Sequence, residues 1–254
     1  MNGTSSVDER ISDKESIMFG FGLFWGDWTI LIVLPAMIFA IWAQMNVSST
    51  FDKYSKQATH SGRTAAQAAR ALLDANGLHD VGIAQVRGHL SDHYDPRKKM
   101  LFLSDSVYNS QSAAAVGVAC HEAGHAIQDA VGYAPLKLRM GMVPVCNIGS
   151  NLAMPLCIIG LLFAGTASGG YLMFAGIACF SLATLFQLVT LPVEFNASRR
   201  ALEGMQDNHL LYDDEIDMAE KTLRAAALTY VAALATSLLS LLRLIIIANG
   251  SRRD

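Results

Sequence analysis

Four stretches of 18 or more residues carry almost no charge: residues 28–45, 143–164, 170–191 and 225–248. Each is about long enough to cross the roughly 30 Å hydrocarbon core of a bilayer as a helix, the conformation that satisfies backbone polar groups within one segment. The charged residues gather between these stretches. Only 16% of the chain is charged while 52% is apolar, against about 25% and 45–50% in soluble domains. The expected fold class is mainly α, a four-span integral membrane protein. Trp25, Trp28 and Trp42 lie near the ends of the first span, where interfacial anchors sit. Arg243, the one full charge in the fourth span, is close enough to its end to snorkel.

The second and third spans are joined only by residues 165–169, which forces an antiparallel hairpin. Residues 46–142 and 192–224 then share one face, and 14 of the 19 Lys and Arg residues lie in them. The positive-inside rule makes that face cytoplasmic and puts both termini outside. Residues 1–27 have no basic n-region or suitably placed cleavage site, so they read as an extracytoplasmic segment rather than a removed signal peptide. A net charge of -3, with no basic run longer than Arg97-Lys98-Lys99, argues against nucleic acid as partner. Cys120, Cys146, Cys157 and Cys179 form no C-x-x-C pair and read as buried small hydrophobes.

The segment 46–142 has its own organisation. Ser48 to Thr50 followed by Phe51 to Lys56 reads as a membrane exit or turn, and Arg63 to Asn76 as an alanine-rich helix stopped at Asn76-Gly77. Val81 to Leu90 and Met100 to Leu103 read as two strands of a small hairpin, with a turn at His93, Asp95 and Pro96. Ser112 to Val131 is a helix, and Ser104 or Asp105 is a candidate cap on its N-terminal side.

Within that helix stands His121-Glu122-Ala123-Gly124-His125. Histidines four apart project from one helical face, where both imidazoles can reach one zinc at about 2.0–2.1 Å while Glu122 turns to a metal-activated water as general base. Seven histidines and seven glutamates scattered over 254 residues would give this pattern about 0.005 times, so coincidence is a poor explanation. The bland alternative is two helix-face histidines satisfied by hydrogen bonds.

A hydrolytic zinc needs a third protein ligand and an open position. The extended three-histidine motif fails, because Gln128 and Val131 stand where it needs Gly and His. Glu194, directly after Pro192 at the cytoplasmic end of the third span, is the first candidate, on a helix restarting at Pro192 with Ser198 one turn later. Its alternative role is an interfacial acid paired with Arg199 or Arg200. His209 is the rival ligand, in the polar stretch Gln206 to His209, while His89 and His93 read as solvated or substrate-side residues.

The chain resembles the bacterial membrane family of neutral zinc metallopeptidases, the YugP-like proteins, over nearly its whole length. The resemblance rests on Ser104 to Asn109, on Ser112 to Val118 leading into His121 to Gln128, and on Pro192 to Ala201. It implies a gluzincin-type peptidase with a cytoplasmic zincin-like α+β region, one Zn2+ held by His121, His125 and Glu194, and Glu122 as base. The expected location is the bacterial inner membrane, as a multi-pass protein whose site the positive-inside rule turns to the cytoplasm. More distantly the chain is similar to the CAAX-processing and heat-shock membrane peptidases, whose third-ligand helix often carries an Asp four residues after the Glu. Here that position is Ser198, and Asn196 stands two residues after Glu194. Asp129, four after His125, is then an alternative group to orient a histidine.

Candidates for oxyanion stabilisation are Arg199, Arg200, His209 and Tyr212; the arginine pair serves equally as an anchor for lipid phosphates. Met100, Leu101, Phe102 and Leu103 would bind extended substrate if they form a sheet edge, or simply face the core. Expected partners are peptides or membrane-protein segments and lipids, with oligomers allowed; no phosphate-binding loop suggests a nucleotide. Two other function classes compete: a non-catalytic scaffold or chaperone with structural zinc, and a transporter using Asn147, Asn151 and Gln187.

Overall fold

The computed structural model describes residues 28–250; the segment 1–27 expected outside the cell, with Trp25, lies outside the described residues. The elements run α1 (Ile30–Tyr54), α2 (Ala65–Ala75), β1 (Gly82–Val86), β2 (His93–Asp95), β3 (Met100–Ser104), α3 (Ala113–Ala130), α4 (Ala134–Leu162), α5 (Ala167–Asp207) and α6 (Asp213–Gly250). The fold is mainly helical with a small mixed sheet.

Among the described residues four helices, α1, α4, α5 and α6, are long and apolar enough to cross a membrane, and each holds all or nearly all of one of the apolar stretches. Trp28, Ile41, Ile148, Phe174 and Leu238 stand exposed along them, the apolar surface expected of helices solvated by acyl chains. Helices in that medium associate through small residues and polar contacts. An added Cβ on Gly160 would meet Met173 N at 2.6 Å, and one on Gly176 would meet Cys157 Sγ at 2.5 Å, so α4 and α5 approach along a glycine seam. The Thr184 and Ser237 hydroxyls, 2.7 Å apart, link α5 to α6.

Beyond one end of these helices lies the main core, built from Leu72, Leu73, Leu101, Leu103, Val107, Cys120, Met205 and Leu210. The chain does not turn at Ser48 to Thr50: α1 continues to Tyr54 because Phe51 and Tyr54 are buried in this core. The helix at Ala65 is fixed by a capping box between Thr64 and Gln67. Pro192 does not restart a helix either. It lies inside the unbroken 41-residue α5, which carries the polar second half of that helix into the core.

The sheet corrects the expected hairpin. Its order is β1-β3-β2, with β1 parallel to β3 and β2 antiparallel to it. The residues expected to form the turn, His93 to Asp95, are themselves a strand, and the hairpin turn comes after it. There Asp95 Oδ1 accepts from the backbone N–H of Arg97 and Lys98, and Lys99 takes φ 49. The strand Met100 to Leu103 is therefore central rather than an edge: neighbours pair with it on both sides, and Leu101 and Leu103 are buried. Neither Ser104 nor Asp105 caps α3. Ser104 ends β3 and is held by Asp92, while Ser112 is the cap and accepts from Ala115 N.

Helix α3 is almost wholly buried between α2, α5 and α6. Its approach to α5 depends on Gly124, where an added Cβ would meet Ala197 O at 2.6 Å, a backbone atom that cannot swing away. Gly124→Ala should therefore destabilise the protein by about 1–3 kcal/mol, read by thermal unfolding in detergent. Gly141→Ala, with nothing within 4 Å of its Cβ, is the matched control and should be nearly silent.

Candidate metal centre

The Ser112 cap starts α3 in a register that places His121 and His125 on one face, their ring centroids 4.8 Å apart. The Gly124–Ala197 contact sets α5 against that face and brings Glu194 between the rings. Glu194 Oε2 lies 3.2 Å from His121 Nε2 and 3.6 Å from His125 Nε2. One ligand atom from each of the three residues falls within 4.8 Å of the others, so the cluster fits a metal ion. Donors about 2.0–2.1 Å from a tetrahedral zinc lie about 3.3–3.4 Å from one another. The carboxylate-to-imidazole separations match that edge, and the donor set of two imidazoles and one carboxylate suits zinc with one position left open.

The orientation of both histidines is set from behind. Ser198 Oγ is 3.1 Å from His121 Nδ1. His125 Nδ1 is 3.0 Å from Gln128 Oε1, and the Gln128 amide nitrogen donates to Val193 O and Asn196 Oδ1. Those two acceptors fix which way the amide points, so its oxygen faces the imidazole. Nδ1 of His125 then carries a proton, which leaves Nε2 as the nitrogen that a metal would take. Gln128 is fully buried. In the sequence it stands out only as a failure of the three-histidine motif, although its position three residues after His125 places it near that histidine's face. Asp129, the expected alternative, turns elsewhere and accepts from the Tyr94 hydroxyl of β2 at 3.0 Å.

Two further groups join the centre without a signal in the sequence. Arg139 on α4 donates to Glu194 Oε1 at 2.7 Å. Tyr230 on α6 interacts with Glu194 and lies within electrostatic reach of Glu122 and Arg139. No local pattern marks either; each reaches the centre only through helix packing. The other sequence candidates make no hydrogen bond or ion pair with the three ligands. Arg199 pairs with Glu203 on its own helix, Tyr212 packs its ring on His60, and His209 occupies the turn after α5 with φ 49. Arg200 donates to Asn196 Oδ1 and so touches the outer side of the Gln128 network. His89 packs edge-on against Phe51, and His93 stacks on Phe102. Asn147 and Asn151 face outward on α4, and Gln187 is half-buried on α5.

Burial works against the charge on Glu194. The hydrogen bonds and charges of His121 and His125 outweigh it and hold the carboxyl below its usual range. Burial likewise pulls the His125 imidazole down, but Glu194 and Glu122 outweigh it and the net direction is up. Cys120, on the same helix but inside the core, has its thiol pushed up to about 12 by burial, which keeps it protonated and out of metal chemistry.

A family model described as "Putative neutral zinc metallopeptidase" matches residues 29–249. The chain is 46% identical over 225 residues to "Putative membrane protease YugP" of Bacillus subtilis (strain 168), covering 89% of this chain and 98% of that protein. No solved structure matches.

Because His125 holds its proton more tightly than a free histidine in the metal-free protein, a bound metal must displace that proton. Zinc uptake near neutral pH should release protons, and apparent affinity should fall as pH is lowered. Titration calorimetry in two buffers of different ionisation enthalpy checks this; identical heats would mean that no proton is displaced.

Proposed function

Since the chain belongs to the family of neutral zinc metallopeptidases, we propose that His121, His125 and Glu194 hold one zinc ion and that Glu122 is the general base for peptide-bond hydrolysis. Membership makes the chain a zinc-dependent membrane protease, and its four long apolar helices suit the inner membrane of a bacterium. The observation that carries the residue assignment is the convergence of two imidazole Nε2 atoms on one buried carboxylate oxygen at zinc-ligand spacing. The pattern is of gluzincin type, two histidines from one helix and a glutamate from another, in a zincin-like arrangement.

When bound, zinc supplies Lewis-acid polarisation of the scissile carbonyl and lowers the pKa of water. The chain's own groups do the rest. Glu122, only 9% exposed, takes the proton from water and delivers it to the departing amine. We assign to Tyr230, a neighbour of Glu194 and Glu122, the donation of a hydroxyl hydrogen bond to the oxyanion, since Arg199 pairs with Glu203, Arg200 with Asn196 and Tyr212 packs on His60. Ser198 and Gln128 hold the imidazoles in place throughout.

Extended substrate is best accommodated on the free edge of β2, since β3 is central. The Tyr94–Asp129 hydrogen bond ties that edge to the motif helix one turn beyond His125. Backbone pairing there would hold a peptide beside the metal with little side-chain selection. Glu194 lies three residues beyond the apolar stretch of α5, so the site is close to the bilayer, and the excess of Lys and Arg on that side favours a cytoplasmic active site. Substrates are then peptides or membrane-proximal protein segments.

Detergent-purified variants test the assignment through zinc content and cleavage of a quenched peptide library. Glu122→Gln should keep zinc while losing about 10²–10⁴-fold in rate. Glu194→Ala should lose zinc; full zinc in that variant overturns the third ligand. Tyr230→Phe should keep zinc and lower kcat by about 10²–10³-fold, and an unchanged kcat removes Tyr230 from the mechanism.

A further inference from the structure

The two oxygens of Glu194 have different partners. Oε2 faces the two histidines, while Oε1 accepts from Arg139 Nη1 at 2.7 Å, and the carboxylate side chain is only 3% exposed. The arginine comes from a different helix, near the start of α4, 55 residues away in sequence. The neighbouring arginines cannot substitute for it, because Arg199 is directed to Glu203 and Arg200 to Asn196.

A buried carboxylate that ligates through one oxygen leaves the other in need of a donor, and without one it is free to swing and chelate through both. A guanidinium supplies a fixed, directional, permanently charged donor for that oxygen. We propose that Arg139 is a positioning residue for the metal centre: it holds Oε1 of Glu194, so that Oε2 alone is offered to the ion and the fourth position stays open for water. This rests on the zinc reading given above. Because Arg139 is committed to Glu194, it acts through that ligand rather than on the substrate.

The full-length protein in detergent tests this as wild type, Arg139→Met and Arg139→Lys. Zinc affinity is read by competition with a chromophoric chelator, and coordination by the visible absorption of the Co(II)-substituted protein. The methionine variant should bind zinc about 10–100-fold more weakly. Its cobalt bands should also lose intensity as Glu194 turns to two-oxygen binding and raises the coordination number. The lysine variant, which keeps the charge but not the planar guanidinium, should fall between wild type and the methionine variant in affinity, with a cobalt spectrum that departs from wild type. Circular dichroism of the metal-free variants shows whether they fold. If Arg139→Met does not, Arg139→Lys decides, because its altered cobalt spectrum supports the positioning role and a wild-type spectrum with wild-type affinity overturns it. Unchanged zinc affinity and cobalt spectrum in a folded Arg139→Met overturn the proposal even if kcat falls, since that result would move Arg139 to the substrate side. A wild type that holds no zinc would instead overturn the metal reading beneath it.

Discussion

A carboxylate removed from water must be paired or it will not stay ionised, and Glu194 is such a group at 2% residue exposure. Its ionic partners come from two other helices: His121 and His125 from α3 and Arg139 from α4. The geometry of the centre results from that requirement. Three helices must meet at one point, and the meeting is possible because Gly124 lets the backbone of α5 come close to α3. The same closeness lets Gln128 reach across to Val193 O and Asn196 Oδ1, so the packing contact and the polar network reinforce each other.

The groups that orient the histidines are a hydroxyl and an amide, not carboxylates. A carboxylate behind a histidine makes it more basic and adds negative charge to the site. With neutral groups there and Arg139 beside Glu194, the carboxylates at the centre among the described residues are Glu194 and Glu122. That arrangement favours a strongly polarising metal. Asp129, the other acid on the motif helix, is used instead to tie the sheet edge to the helix through Tyr94.

The centre also joins two parts of the molecule that have different solvents. The motif helix belongs to the core of Leu72, Leu101 and Met205, whereas Glu194, Arg139 and Tyr230 stand on the three long helices α5, α4 and α6. Relative movement of those helices would change the distance between ligands, so the glycine seam of α4 and α5 and the Thr184–Ser237 contact contribute indirectly to holding the site. A separate soluble catalytic domain would lack half of these groups.

Much of this is written in local sequence. Long uncharged runs specify helices, because no other single segment satisfies its backbone in an apolar medium. A four-residue spacing puts two histidines on one face whatever surrounds them, and a glutamate just beyond a span is readable as a candidate to meet them. Strand pairing is not readable: β1, β2 and β3 are three to five residues long, and their order depends on loops and on which faces the core covers. Met100 to Leu103 thus reads equally as an edge or as a core-facing strand, and it occupies the centre. Arg139, Tyr230 and the part played by Gln128 are likewise settled only in three dimensions. Hydrogen-bond partners 55 to 68 residues apart leave no period in the sequence, and they are chosen by which helices the packing brings within about 3 Å.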